Sequence, residues 1–205
     1  MLLRAAATLR ATARISRSHV RCMAGGLSVP GVRRTLGEVT KLDMLENESS
    51  VRIGAIWESY HADKPAVAGA PVAIADFDRM QTRGAESPNF VFPIRREGGH
   101  FMLFSQYSAA DSMFVLTYLE EYQRNPAAAQ PWASVSLFDE LITSKGVALV
   151  RAEVAEERLT KAEAEHLLLL YQRYYGNEST GYDKVWMFNH ADRHFDLGGY
   201  LASCP

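Results

Sequence analysis

Phe90-Val-Phe-Pro-Ile94, then Arg96-Glu-Gly-Gly99, then His100-Phe-Met-Leu-Phe-Ser-Gln-Tyr107 is the stretch that decides how this chain folds. Two apolar runs, rich in aromatic and β-branched residues and too short for helices, flank a connection containing two glycines. Glycine supplies the positive backbone angles that a tight hairpin needs, so the pair reads as antiparallel strands. Working outward, three more runs have the same character: Met113-Phe-Val-Leu-Thr-Tyr-Leu119, Trp132-Ala-Ser-Val-Ser-Leu-Phe138 and Gly146-Val-Ala-Leu-Val-Arg-Ala-Glu-Val154. Together they predict one mostly antiparallel sheet of five to six strands. Along the second run Phe101, Leu103 and Tyr107 alternate with Met102 and Phe104, so both faces carry bulk and both need cover. Apolar surface left over after the helices have packed is a candidate contact surface for a partner.

Those helices lie to either side. Thr35-Leu-Gly-Glu38 has capping-box spacing and opens a short helix carrying Val39, Leu42 and Leu45. Ser50 caps a second, in which Ile53, Ile56, Trp57 and Tyr60 share one face, and Lys64-Pro65 ends it. The Ala- and Gly-rich residues from Ala66 to Ala75 read as an extended connector, followed by a helix over about Asp76 to Gly84. Helical turns are expected at Leu119 to Arg124 and Phe138 to Ile142. After the sheet, Thr160-Lys-Ala-Glu163 is a second capping box, starting a helix with Leu167, Leu170, Tyr171 and Tyr174 on one face and Gly176 as its C-terminal cap. Helical segments at Tyr182 to Phe188 and Leu197 to Leu201 complete the chain. Helices and strands in separate blocks predict an α+β fold, with the sheet packed by N-terminal and C-terminal helices.

The chain has 205 residues and a formal net charge of -2, but the charge is unevenly placed. Residues 1–37 hold seven arginines (Arg4, Arg10, Arg14, Arg17, Arg21, Arg33, Arg34) and no acid, leaving fifteen basic residues against 24 acidic ones in the rest. An acidic body offers no basic footprint for nucleic acid. No apolar run approaches the roughly 18 residues of a membrane span, and two cysteines, Cys22 and Cys204, make neither a disulfide framework nor a cysteine zinc site. The leader sets Arg10, Arg14, Arg17 and Arg21 on one helical face, with Leu2, Ala6, Leu9 and Ala13 on another, which is the mitochondrial presequence pattern. Residues 1–34 are assigned to that presequence, to be read by the import machinery and cut somewhere between Arg17 and Arg34, and residues 35–205 to a single domain. A basic amphipathic arm kept in the mature protein, and a chloroplast transit peptide, are the competing readings.

Catalytic constellations are thin. Gly176-Asn-Glu-Ser-Thr-Gly181 has phosphate-loop glycine spacing, yet Tyr182 and Asp183 stand where a lysine and a hydroxyl are required. His190 and His194 have a spacing that suits one metal, but no glutamate completes the protease pattern and no third ligand is evident. His61 ends a helix, and Ser105 and Ser136 lie in strands rather than a nucleophile elbow. No cofactor is expected.

An ordered set of segments does carry a resemblance: Lys41-Leu-Asp-Met-Leu-Glu46, Ile56-Trp-Glu-Ser-Tyr-His61, Ser87-Pro-Asn-Phe-Val-Phe-Pro-Ile94, the Gly98-Gly99 hairpin before Phe104-Ser-Gln106, Leu116-Thr-Tyr-Leu-Glu-Glu-Tyr-Gln123, and Lys145-Gly-Val-Ala-Leu-Val-Arg-Ala-Glu153. Over roughly residues 35 to 200 the chain resembles the mitochondrial F1-ATPase assembly factor family. The resemblance implies a matrix chaperone without a catalytic site, one that binds the unassembled F1 β subunit and prevents its aggregation until α/β assembly. Phe90, Phe92, Phe104, Gln106 and Tyr118, on the sheet face and its edges, are the candidate partner-binding residues; Trp57, Tyr60 and His61 match the family's helix motif and read as packing. His100, the alanine-rich connector and the short C-terminus depart from the pattern, leaving open a structural subunit retained on the synthase. A small mitochondrial enzyme or metal protein using His61, His190 or His194 is the remaining alternative.

Overall fold

A computed structural model describes residues 30–177 and 181–205; the leader reading as far as residue 29 and the middle of the Gly176 to Gly181 loop fall outside the described residues. Its elements are α1 (Leu36–Val39), α2 (Leu42–Leu45), α3 (Ser50–Ala62), β1 (Val67–Val72), α4 (Ile74–Glu86), β2 (Asn89–Arg96), β3 (Gly99–Ser108), β4 (Met113–Tyr118), α5 (Leu119–Arg124), β5 (Pro131–Phe138), α6 (Ile142–Lys145), β6 (Ala148–Val154), α7 (Lys161–Tyr171), α8 (Gly181–His190) and α9 (Leu197–Ser203). The fold is α+β, as expected. One six-stranded sheet runs β1-β6-β5-β4-β3-β2 with every neighbouring pair antiparallel. Strands β2 to β6 form a meander, and the β2–β3 turn uses Gly98 at φ 88, where a side chain would be strained.

The segment read as a connector contains the sixth strand. Val67–Val72 pairs with β6 from Val67 opposite Glu153 to Val72 opposite Ala148. Its alanines, glycine and proline hide the alternation by which strands are recognised, and the reason is local packing. A Cβ on Gly69 would stand 2.6 Å from both His61 Nδ1 and Trp57 Nε1, so only glycine lets α3 lie on this strand. Pro71 is tolerated because β1 is an edge. From that edge α4 carries the chain across to the opposite edge, where β2 begins.

One face of the sheet is closed by α4, α7 and the segments after it. Alternation directs Ala148, Val150 and Ala152 of β6, Val135 and Leu137 of β5, Phe114 and Leu116 of β4, and Phe90, Phe92 and Ile94 of β2 into a single core with Leu167, Leu170, Tyr171, Tyr174 and Tyr175. The Tyr171 ring lies 4.4 Å from Phe114 and 5.0 Å from Phe92, and its hydroxyl meets Ser105 Oγ at 2.5 Å. Both capping boxes form: Glu38 accepts from the Thr35 backbone at 2.7 Å, and Glu163 does the same for Thr160. Gly176 does not cap an ordinary helix end, because the chain continues from α7 into a π turn over Gln172–Gly176. Arg79 donates to the Gly176 carbonyl at 2.6 Å and Arg83 to those of Tyr175 and Asn177, replacing the helical partners these groups lack.

The other face is covered piecemeal. Over β1 and β6, α1 to α3 build a second core from Leu36, Leu45, Ile53, Trp57, Phe138, Leu141, Val147 and Leu149. Over β3, the Tyr122 ring of α5 sits 4.7 Å from Phe104. Between them runs the strap Pro30 to Arg34: a Cβ on Gly31 would lie 3.0 Å from Pro131, Arg33 stacks over the Phe138 ring at 5.7 Å, and Arg34 reaches Glu153 at 3.7 Å.

Candidate functional site

Of the five residues expected to meet a partner, three are turned wholly inward. Phe90 and Phe92 are 0% exposed and Phe104 is 1% exposed. Phe90 packs against Tyr200 at 5.2 Å and Tyr174 at 5.5 Å, so these rings set the shape of the β2–β3 sheet from within. Gln106 and Tyr118 are half-buried and reach the surface. Burial raises the Tyr122 hydroxyl pKa, and Gln106, on the same face of β3 as Phe104, lowers it in part. Tyr118 belongs to a larger group, because a bulge between Leu116 and Thr117 skips Trp132 in the β4–β5 register and lets the two rings stack at 4.9 Å with 22° between planes. Phe101 meets both edge-on, at 6.0 and 5.8 Å. Guanidinium groups lie on this patch: Arg158 over Trp132 at 5.0 Å and Arg96 over Phe101 at 4.9 Å. Desolvation, then the Glu120 carboxylate, raises the Tyr118 hydroxyl pKa. Three half-buried aromatic rings rimmed by arginines have the composition of an interface centre rather than of solvated surface. Phe101 and Trp132 were not singled out in the sequence, since the bulge that brings Trp132 beside Tyr118 has no sequence mark.

The second notable cluster is buried beneath α3. His61, 1% exposed, has Nδ1 on the Trp57 carbonyl at 2.8 Å, while Nε2 accepts from Arg151 Nε at 3.2 Å; the ring is thereby the neutral tautomer with its proton on Nδ1. Arg151 in turn pairs with Glu153 at 2.7 Å, both buried, and Lys161 ties the end of α3 to β1 through the carbonyls of His61, Lys64 and Val67. Burial, reinforced by Arg151, Lys64 and Lys161, pulls the His61 pKa from 6.5 to about 4, against the raising effect of the Trp57 carbonyl bond. Because the folded value lies below the unfolded one, the unfolded chain takes up the proton first. The contribution of the buried neutral His61 to stability is complete above about 6.5 and declines as pH falls toward 4. The thermal midpoint should drop across that window, and His61→Gln should flatten this part of the slope; equal slopes in both proteins would show that His61 does not titrate there.

The remaining histidines are apart from this. His190 Nε2 meets Ser87 Oγ at 3.2 Å, and Tyr182 OH bridges Ser87 at 3.1 Å and Glu86 at 2.6 Å. Ser87 is 0% exposed, so its hydroxyl joins the end of α4 to α8 and is closed to solvent. His194 is exposed on a 3-10 turn. Among the described residues no group of three or more His, Cys, Asp or Glu is placed to hold a metal ion, and no helix is long and apolar enough to cross a membrane.

These features define an α+β protein with a helix-clad antiparallel sheet, whose polar clusters are turned inward to hold the fold while an aromatic and arginine patch is turned outward. Residues 16–199 match the family described as ATP11 protein, and the chain belongs to that family. It is 26% identical over 170 residues to ATP synthase mitochondrial F1 complex assembly factor 1 of Homo sapiens, covering 82% of this chain and 51% of that protein. The protein of that name from Danio rerio is 24% identical over 170 residues, with 82% and 55% covered. Protein atp11, mitochondrial, of Schizosaccharomyces pombe is 26% identical over 103 residues, with 48% and 36% covered. The chain thus spans about half the length of the animal relatives.

Proposed function

We propose that this chain is an assembly chaperone of the mitochondrial F1-ATPase, acting in the matrix, which binds the unassembled β subunit and keeps it from aggregating until it pairs with α. The observation that carries the reading is the match over residues 16–199 to a family whose relatives are named for F1 complex assembly. The outward patch of Phe101, Tyr118 and Trp132 supports it with a surface on which a partner's apolar side chains would be desolvated; Gln106 lies on the opposite face of β3, with Phe104. Phe90, Phe92 and Phe104 are buried core residues of the same sheet and do not reach that surface. A chaperone contact must also release, and a patch of a few rings with exposed arginines at its margin is small enough for the α subunit to displace.

The test is a pull-down from matrix extract with residues 30–205 as bait, free β and free α being quantified separately. Recovery of β without α is the expected result; recovery of neither would sink the proposal, and recovery of the whole synthase would make the chain a retained structural subunit. In the same assay Tyr118→Ala should reduce captured β by about tenfold, the loss expected of a central aromatic anchor. Undiminished capture by a folded Tyr118→Ala protein would place the contact elsewhere.

A further inference from the structure

We propose that the strap Pro30 to Arg34 is an exchangeable cover over a peptide channel on the second face of the sheet, and that an extended polypeptide segment carrying an arginine or lysine able to reach Glu153 takes its place. The strap already has the position of a bound peptide. Pro30 is buried and residues 31–34 are half-buried, yet no backbone-to-backbone bond joins residues 30–34 to a strand among the described residues. What holds it is local packing and charge: Gly31, turning at φ 82, rests against Pro131 and Val115, Arg33 stacks over Phe138, and Arg34 faces Glu153. Such a cover lifts without breaking a rung of the sheet, so it opens locally and not only with the whole fold.

The strap fits its seat incompletely, and the shortfall names what the channel takes. Ser134 stands between Val115 and Glu153, its register partners on β4 and β6, and so forms the floor between the Gly31 and Arg34 contacts. It is 1% exposed, and its Oγ has no hydrogen-bond partner. Arg33 Nη1 is buried and unpartnered as well, and so is Glu140 Oε2, whose other oxygen takes the Leu36 amide at 2.8 Å just past the strap. Of four such atoms among the described residues, these are three. Buried polar atoms are nearly always paired, so the strap leaves donors and acceptors that a segment of different side chains can satisfy. Charge decides which segment. Two carboxylates, Glu153 and Glu140, line the seat, and the strap answers Glu153 with a partly exposed guanidinium at 3.7 Å, farther than Arg151 at 2.7 Å and weakened by water. A cationic segment completes that pairing, whereas an acidic one would add a third carboxylate and be rejected.

Ser134→Cys in the full-length chain puts a thiol on the channel floor, and because the serine Oγ has no partner it breaks no hydrogen bond there. Two peptides activated as mixed disulfides, Cys-Val-Arg-Arg and Cys-Val-Ala-Ala, are offered under native conditions, and modification is read site by site by mass spectrometry, with the buried Cys204 as internal reference. The thiol at position 134 should react at a rate that urea leaves unchanged below the unfolding transition. The arginine peptide should react there at least about fivefold faster than the alanine peptide, the scale of one partly exposed ion pair, and Cys204 should show no such preference. Equal rates for the two peptides at position 134, the same preference at Cys204, or a reaction at position 134 that accelerates with urea as global unfolding does would each overturn the proposal. Val115→Cys, at the Gly31 contact, gives the same readout should Ser134→Cys not fold. No F1 subunit enters the assay, so the channel stands or falls apart from the chaperone reading.

Discussion

Trp57→Ala is expected to lower unfolding free energy by about 3–5 kcal/mol, the range for truncating a buried aromatic residue. The indole is 1% exposed, lies 4.3 Å from the His61 ring and 5.8 Å from Phe138, and donates Nε1 to the Val150 carbonyl at 3.0 Å. It is both the largest member of the second core and a hydrogen-bonded link from α3 to β6. Trp57→Phe keeps a ring and loses the bond, so it should cost less than the alanine variant. Urea unfolding followed by far-UV circular dichroism measures both. A loss below about 1 kcal/mol for Trp57→Ala, the scale of a surface substitution, would mean that α1 to α3 are not integral to the fold.

Arg151→Met should cost a comparable amount, about 3–5 kcal/mol, because it leaves Glu153 inside the protein without the guanidinium 2.7 Å away. Arg34, on the strap, reaches the same carboxylate at the longer distance of 3.7 Å and is partly exposed, so it compensates weakly. Burial lowers the Arg151 pKa while Glu153 raises it again, the sign of a cation held in place by its partner. The variant also takes away the donor to His61 Nε2. The informative comparison is with the double variant Arg151→Met, Glu153→Gln, which removes both charges and should recover much of the loss. Equal stability of single and double variants would show that the loss of the guanidinium from the Glu153 carboxylate is not what destabilises.

Much of this architecture was legible because its physical causes are local. The hairpin glycines, the two capping boxes and the alternating strands act within a few residues, and each stands where the sequence placed it. Other features were hidden because their causes are distant in the chain. Val67–Val72 looks like a linker until Trp57 and His61 are seen resting on Gly69, a demand for smallness set by another element. The π turn at Gln172–Gly176 depends on Arg79 and Arg83 of α4, which no nearby residue announces. The site was harder still. Aromatic residues of a sheet look alike in sequence whether they face a core or a partner, so Phe90, Phe92 and Phe104 stood beside Tyr118 as equals. Burial on both faces separates them, and the bulge before Thr117 gathers Tyr118, Trp132 and Phe101.

The place of β1 beside β6 bears on the order in which this chain acquires its structure. Strands β2 to β6 each meet a neighbour in sequence and can zip together as the chain lengthens. The N-terminal block cannot: the Trp57 bond to Val150 joins residues 93 apart. Everything from the strap to β1 must wait, its apolar side chains unsheltered, until β6 has been added, since non-local closure is the slow step of such topologies. In the proposed import into the matrix, amino end first, the earliest part to arrive is the last to find its place. A protein whose proposed task is to shelter an incomplete partner passes through a period in which it is itself incomplete.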